Sequence, residues 1–451
     1  MALTGIQILK MLPKKNCGEC GIPTCLAFAM KVAAGQTEIA ECPYVSDEVK
    51  EQIGEASAPP IRTVKLGGGD HIFTTGGETC QFRHEKRFEN PTGIAVLVTT
   101  EMDNAAVDGR LERFKSLRYE RVGVMLKADL VAIKDAKGDA ASFSALVKRV
   151  LAEAEDAKLI LISDSPDNLA AAAKECGERK PLLFGATLAN ADAMAKIGQE
   201  CGCPVGVKGQ NVDDTVAISE KLLAAGLKDL VIDTGARTVR AAFEDNVLAR
   251  RAAVKSKFKP LGFATITFPC EITDDPMLEA MVASVLIAKY TGIVVLSDLQ
   301  GDTLFPLLLE RLNIFTDPQR PMVVQEDVYP VNGPGDSSPV LITCNFSLTY
   351  FIVSGEIEGS KVPSWLLIKD TEGLSVLTAW AAGKFGADMI AQFIKKSGIL
   401  EKVKHRELII PGYLASLKGE LEEELPEWKI VIGPREAGHL PAFLKEWKAA
   451  A

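Results

Sequence analysis

IAVLVT (94–99), DLVAI (129–133), LILI (159–162), LLFGA (182–186), PVGV (204–207), DLVID (229–233), LGFATIT (261–267) and GIVVLS (292–297) are eight short, β-rich apolar runs that follow one another through the middle of the chain. Between them lie amphipathic segments of helix length, at 141–155, 166–176, 190–200, 213–225, 240–256, 275–290 and 302–311. Ser165 before Pro166, and the pair Asp213-Asp214, are helix-start signals. Eight β-runs alternating with helices over about 230 residues match the count and length of a (β/α)8 barrel. An open doubly wound sheet shows the same alternation. The count that closes at eight favours the barrel, so the expected fold class is α/β with a TIM barrel over 93–316.

Outward from this core the pattern changes on both sides. Residues 317–339 carry five prolines and two glycines and read as a linker. Beyond it the alternation resumes on a smaller scale. Strands are expected at 340–344, 365–369, 407–410 and 428–432, with helices at 374–383, 386–397, 413–423 and 435–447. This reads as a Rossmann-like domain over 340–451. On the other side, 59–92 reads as an irregular arm with Gly67-Gly68-Gly69 and Gly76-Gly77 and few periodic apolar residues. It is reached through a linker of small residues and proline, Gly54–Pro60. The first 58 residues form a unit of their own, with one helix in Thr4–Leu12 and another from Cys25 to about Gly35.

Composition narrows the class. The chain has 451 residues, 47% of them hydrophobic and 25% charged, the balance of a folded soluble protein. Its formal charge of −9 argues against general nucleic-acid binding, which needs a basic face. The N-terminus lacks the order of a secretory signal, so a cytoplasmic setting is expected. The segment 337–355 has no charge over 19 residues, yet seven are Ser, Thr or Asn. It therefore reads as a buried strand–loop–strand and not as a membrane span.

Four of the ten cysteines lie in the first 42 residues, as Cys17-x2-Cys20-x4-Cys25-x16-Cys42. Clustered thiols in a cytosolic setting point to metal. Structural zinc favours two Cys-x2–4-Cys knuckles. Here three cysteines crowd one loop and the fourth follows a helix, the usual arrangement for an iron–sulfur cluster. Gly18 and Gly21 let the backbone approach such a cluster and donate to its sulfides. Zinc and incidental buried thiols are the alternatives.

The run Asn16-Cys17-Gly18-Glu19-Cys20-Gly21, with Pro23 through Ala29 and Cys42-Pro43-Tyr44, resembles the large subunit of the corrinoid iron–sulfur proteins. This is subunit gamma of the acetyl-CoA decarbonylase/synthase complex. The resemblance spans the chain. It includes Phe82 through Phe88, Arg179 through Leu183, Thr343 through Tyr350, Asp370 through Leu377, Ile410-Pro411-Gly412 and Gly433 through Ala437. It implies a [4Fe-4S] cluster on Cys17, Cys20, Cys25 and Cys42, and a barrel serving as scaffold. It also implies a corrinoid held by the C-terminal domain together with a small subunit in a heterodimer. The implied function is methyl carriage in the reductive acetyl-CoA pathway. Cobalt takes the methyl group from methyltetrahydrofolate through a methyltransferase, or from a methyl-tetrahydropterin. It passes the group to the nickel centre of acetyl-CoA synthase/CO dehydrogenase. The cluster, fed by a ferredoxin-like reductant, restores oxidised cobalt.

A flat macrocycle needs a surface at the carboxyl ends of parallel strands. Thr343 and Thr349 bracket the first such loop, and Gly373, Leu374, Ser375 and Val376 open a helix after the second. Gly433 and Ala437 border a third. The resemblance places corrinoid contacts at Thr343, Thr349, Gly373–Val376 and Ala437. None of the four histidines (His71, His84, His405, His439) stands in an Asp-x-His-x-x-Gly motif, and the resemblance implies a cobalt with no protein histidine below it. Asp164, Asp233 and Asp298 sit at barrel strand ends, where catalytic acids usually stand, but no nucleophile–base pair accompanies them. Cys201-x-Cys203 reads as two unrelated thiols on opposite faces of an extended segment. Two other functions compete. One is an Fe–S electron-transfer or docking protein without corrinoid. The other is a barrel that itself transfers methyl groups from a pterin.

Overall fold

The structure is a computed structural model that describes residues 4–33, 37, 39–121, 124–319 and 322–448. Eight parallel strands, from Gly93–Thr99 through Leu130–Lys134 to Thr291–Leu296, form a closed barrel in sequence order. The last strand pairs with the first, Ile293 opposite Gly93 and Leu296 opposite Val96, which removes the open-sheet alternative. Inward side chains such as Ala95, Leu130, Ala132, Ile160 and Phe184 fill the interior, as a packed core requires. The helix starts follow their caps. Ser165 Oγ accepts from the Asn168 N–H, while Asn211, and not Asp213, caps the helix Val212–Ala224.

The arm departs from its irregular reading. Val64–Gly68 and His71–Thr75 pair as an antiparallel hairpin. Val64 and Leu66 are fully buried among the barrel's inward residues, with Phe73 packed beside them. Gly67 N–H donates to the Lys180 carbonyl just before a barrel strand, so the hairpin plugs the amino-terminal end of the barrel. The turn needs glycine, because a Cβ at Gly67 would stand 1.7 Å from the His71 carbonyl oxygen. Strands this short, interrupted by glycines, carry too few side chains to display a period.

A buried ion pair ties the rest of the arm to the barrel wall. Arg250 donates to Glu78 at 3.0 Å and to the Cys80 carbonyl at 2.9 Å. Its guanidinium lies 5.0 Å from the Phe88 ring and 4.9 Å from that of Tyr290. Arg83 donates to the carbonyls of Asn313 and Ile314 at the end of the last barrel helix.

The second compact unit comprises Thr316–Ala451 together with Tyr119–Leu126, a short hairpin whose Arg121 lies over the Phe351 ring. Its sheet runs in the order Asp327–Val331, Ser364–Lys369, Val340–Cys344, Glu407–Ile410, Lys429–Ile432. The last four strands are parallel, and the first is an antiparallel edge. That edge strand lies inside the stretch read as a linker. Its Pro330 is tolerated because an edge strand leaves one row of N–H groups unpaired. Apolar clusters cover both faces of the sheet.

The uncharged segment 337–355 is also corrected. It holds the strand Val340–Cys344, but its second half enters a helix, Ser347–Ser360. The β-branched and aromatic residues there favour a strand locally. Burial at Ser354, Ile357 and Ser360, with Tyr350 and Val353 half-buried, follows a helical face against the sheet. Among the described residues no helix is long and apolar enough to cross a membrane. In the N-terminal unit the helices are Gly5–Met11, Cys25–Ala33 and Asp47–Ser57. Gly35, expected to end the second, lies outside the described residues.

Removing one member of the buried ion pair tests the clamp. Glu78→Ala leaves Arg250 charged and buried without its carboxylate, a loss of about 3–5 kcal/mol. Thermal unfolding is expected to show a midpoint several degrees lower, and an unchanged midpoint would refute the clamp.

Candidate functional sites

The N-terminal unit builds its site from turns. The Thr4 hydroxyl and the Gln7 side chain form a capping box that starts the first helix. After Leu12 the chain turns through left-handed residues, Lys14 at φ 56° and Asn16 at φ 49°, then Gly18 at 75° and Gly21 at 76°. Asn16 Oδ1 accepts the Cys25 N–H at 2.8 Å, and the Asn16 N–H donates to Cys25 Sγ at 3.4 Å. The short 3-10 turn Ile39–Glu41 delivers Cys42, which is buried with Ile8, Phe28 and Val45.

All four cysteines line one small pocket, with Ile22 and Phe28 among its apolar walls and Lys15 and Tyr44 at its edge. Cys17 is exposed, Cys20 and Cys25 are half-buried, and Cys42 is buried. The Lys15 ammonium stands 3.5 Å from the Tyr44 ring centre, and Tyr44 donates its hydroxyl proton to Glu19 at 2.8 Å. Among the described residues no three His, Cys, Asp or Glu side chains are grouped to hold a single metal ion. Thiols spaced around a concavity, on an apolar floor and with a backbone N–H aimed at one sulfur, suit a multi-iron cluster.

The second site is a cavity of about 260 Å³ at the carboxyl ends of Val340–Cys344, Glu407–Ile410 and Lys429–Ile432. It opens where the strand order reverses, the position at which open α/β sheets bind ligands. It brings together Thr343, Thr349, Val376, Gly433 and Ala437. Gly373, Leu374 and Ser375 lie outside its lining. Gly373 donates its N–H to Asn345, Leu374 packs on the core, and Ser375 shares a hydrogen bond with Thr378 at 3.0 Å.

Among the polar lining residues, Tyr413, Arg435 and Glu436 were not named as ligand contacts from the sequence, although Arg435 and Glu436 stand in the run Gly433 through Ala437. The Tyr413 hydroxyl donates to Glu436 at 2.7 Å, and the Arg435 guanidinium lies 6.0 Å from the same ring. The signal was present in the two proline–glycine segments that carry them. A Cβ at Gly412 would stand 2.5 Å from the Gly433 carbonyl oxygen, so glycine alone lets these two loops meet. No histidine lines this cavity. His405, for example, is held between the Ser338 carbonyl and the Glu407 N–H.

The barrel mouth is different. Asp164, Asp233 and Asp298 are each paired with a cation. Asp298 takes Arg113 at 2.7 Å, Asp164 takes Lys208 at 2.6 Å, and Asp233 takes Arg237 at 2.8 Å. Arg237 also binds Glu271 at 2.5 Å, and Lys134 binds Glu271 at 3.2 Å. Burial pushes the Asp233 carboxyl up, and Arg237 opposes it. Against the same upward push, Arg237 and Lys134 hold Glu271 below its usual range. Asp233-Thr234-Gly235 is a strand end and turn, with the Gly235 N–H bonded to Asp233 at 2.9 Å.

Cys201 and Cys203 are not on an extended segment. Cys201 ends a helix and Gly202 turns left-handed at φ 59°. The Cys203 thiol donates to the Cys201 carbonyl at 3.5 Å.

Similarity to known proteins agrees with this layout. A family model described as "CO dehydrogenase/acetyl-CoA synthase delta subunit" matches residues 63–444, and one described as "Putative Fe-S cluster" matches residues 12–44. A Moorella thermoacetica protein named corrinoid/iron-sulfur protein large subunit is 43% identical over 445 residues, 99% of each chain. Proteins named acetyl-CoA decarbonylase/synthase complex subunit gamma are 34% identical in Methanopyrus kandleri and 32% identical in Archaeoglobus fulgidus, each match covering 98% of both chains.

Thiol reactivity separates the cysteine pocket from the scattered cysteines. Burial pushes the thiols of Cys176, Cys203 and Cys270 up to about 12, so almost no thiolate forms at pH 8. Iodoacetamide on the reduced, metal-free chain is expected to modify exposed Cys17 first and to leave those three unmodified by peptide mass spectrometry. Equal labelling of Cys270 and Cys17 would contradict the burial.

Proposed function

The chain belongs to the family of corrinoid/iron-sulfur protein large subunits and acetyl-CoA decarbonylase/synthase gamma subunits, and from that membership we propose that it carries methyl groups in the reductive acetyl-CoA pathway. The observation that carries the reading is the C-terminal cavity, which gathers Thr343, Thr349, Val376, Gly433 and Ala437 without a histidine. A corrinoid bound there would supply a cobalt able to accept and release a methyl group, and a [4Fe-4S] cluster on the four cysteines would supply the electron that returns oxidised cobalt to service.

This chain's own residues do the rest. Ile342, Ile352 and Ile410 give the cavity apolar walls. The Thr343 and Thr349 hydroxyls can hydrogen-bond the amide side chains of a corrin. Gly433 leaves room for close approach. The proposed corrinoid contacts also include the neighbouring turn Gly373, Leu374 and Ser375. In this reading the C-terminal sheet is a Rossmann-like platform. Its strand order and the cavity at the order reversal support that description. The residues that would hold a corrinoid here are Thr343, Thr349, Gly433 and the apolar walls, and among the described residues no imidazole lines the cavity.

At the cysteine pocket, Cys17, Cys20, Cys25 and Cys42 are the proposed iron ligands. The Asn16 N–H on the Cys25 sulfur supports the pocket's role in tuning potential. The proposed partners are the small subunit of a heterodimer, a methyltetrahydrofolate:corrinoid or pterin methyltransferase, acetyl-CoA synthase/CO dehydrogenase and a ferredoxin-like reductant. The proposed setting is the cytoplasm.

Metal analysis with EPR tests the proposal on anaerobic protein made with its small subunit in a corrinoid-producing host. The expected content is about four irons and one cobalt per heterodimer. Cys42→Ser is expected to lose the cluster signal and to keep the cobalt. Iron without cobalt, despite supplied corrinoid, would leave an electron-transfer or docking protein in place of a carrier. Nitrogen hyperfine coupling from a protein histidine on Co(II) would overturn the histidine-free cobalt site.

A further inference from the structure

Asn345 follows the strand Val340–Cys344 and is 3% exposed. Its side chain is anchored through both the oxygen and the nitrogen of the amide. Oδ1 accepts the Thr371 N–H at 3.0 Å, the Gly373 N–H at 3.0 Å and the Thr371 hydroxyl at 2.9 Å, a proton that Thr371 shares with the Leu374 carbonyl. Nδ2 donates to Asp370 Oδ1 at 2.7 Å. Two N–H donors on one side and a carboxylate on the other fix which way the amide faces.

The partners all belong to the turn after the neighbouring strand Ser364–Lys369. That turn is costly to form, because Glu372 at φ 55° and Gly373 at φ 76° are left-handed in succession. The same Asp370 oxygen that receives Asn345 also accepts the Glu372 N–H at 2.9 Å. The other charged groups here are already occupied. Glu326 pairs with Lys369 and accepts the Asp370 N–H, and Glu372 pairs with Lys384. Asn345 thus joins the carboxyl ends of two adjacent strands, Thr343 being on its own side and Val376 at the far end of the turn it holds.

We infer that Asn345 is the positioning residue for the turn 370–376, whose last residue Val376 lines the cavity, setting that turn's backbone before any ligand arrives. The inference rests on the corrinoid reading of the cavity and adds to it. A preformed turn loses no ordering entropy on binding, so the clamp acts on affinity and not only on stability.

The test uses the full chain with its small subunit, freed of corrinoid and titrated with dicyanocobinamide, a corrin without a nucleotide tail. Asn345→Ala is expected to bind about tenfold or more weakly, through the loss of several buried hydrogen bonds. Without ligand, its amides at 371–374 should exchange faster while barrel amides keep their protection. Thr371→Val removes only the hydroxyl and should fall between this variant and wild type.

Asn345→Asp supplies a readout that a purely structural role would not move. It keeps the acceptor oxygens but sets a second carboxylate against Asp370. A shared proton restores the contact, so its affinity should recover as pH falls from about 8 to about 5, while wild type stays flat. Unchanged affinity in Asn345→Ala, or a pH-independent Asn345→Asp, would overturn the inference alone. Failure of the wild-type chain to bind the corrin at all would overturn the corrinoid reading and the inference with it.

Discussion

Parallel strands must bury both faces, and most of this chain's architecture follows from that requirement. In the barrel, helices cover the outside and the strands' own side chains fill the inside. The amino-terminal opening still needs a cover, and Val64, Leu66 and Phe73 of the hairpin provide it. In the second unit the sheet has an apolar cluster on each face and an antiparallel strand along one edge. Once every face and one end are sealed, the carboxyl ends of the strands are the places left for chemistry.

Two such ends exist, and the molecule treats them oppositely. At the barrel mouth Asp164, Asp233 and Asp298 each meet a lysine or arginine, and Glu271 meets two cations. Charges paired in this way hold loops together. At the C-terminal sheet the strand ends diverge around an apolar cavity rimmed by hydroxyls and small residues. A scaffold role for the first and a ligand role for the second are consistent with this difference. The cysteine unit obeys another rule. Its core is small, built around Ile8, Phe28 and Ile53, and a domain of this size commonly depends on a metal for stability.

Much of the site was legible before the fold was known. The crowding of Cys17, Cys20 and Cys25, with Cys42 beyond a helix, already implied a shared concavity, and the four line one pocket. Thr343, Thr349 and Ala437, which the resemblance named as ligand contacts, and Gly433, which borders a strand-end loop, line one cavity. Gly373, Leu374 and Ser375 lie on the turn after Ser364–Lys369 and do not line the cavity; Gly373 is held by Asn345 and Leu374 packs on the core. Tyr413 was not named as a contact. Nothing local tells a loop tyrosine that reaches a cavity from one that faces water.

The sequence by itself determined the barrel, the order of the C-terminal strands along the chain and the grouping of the cysteines. These rest on periodicity and spacing, which are properties of neighbouring residues. Tertiary structure decided the rest. The arm became a plug because Leu66 found an open barrel end, and Pro330 entered a strand because that strand lies at an edge. The run from Thr349 to Val353 became helical because Ile357 and Ser360 had a sheet to cover. Asn345 read as a polar interruption in an apolar stretch. Its partners lie 25 to 28 residues away, and only folding brings them within hydrogen-bond reach. Local pattern sets what a segment prefers; contacts between distant segments settle what a short or ambiguous one becomes.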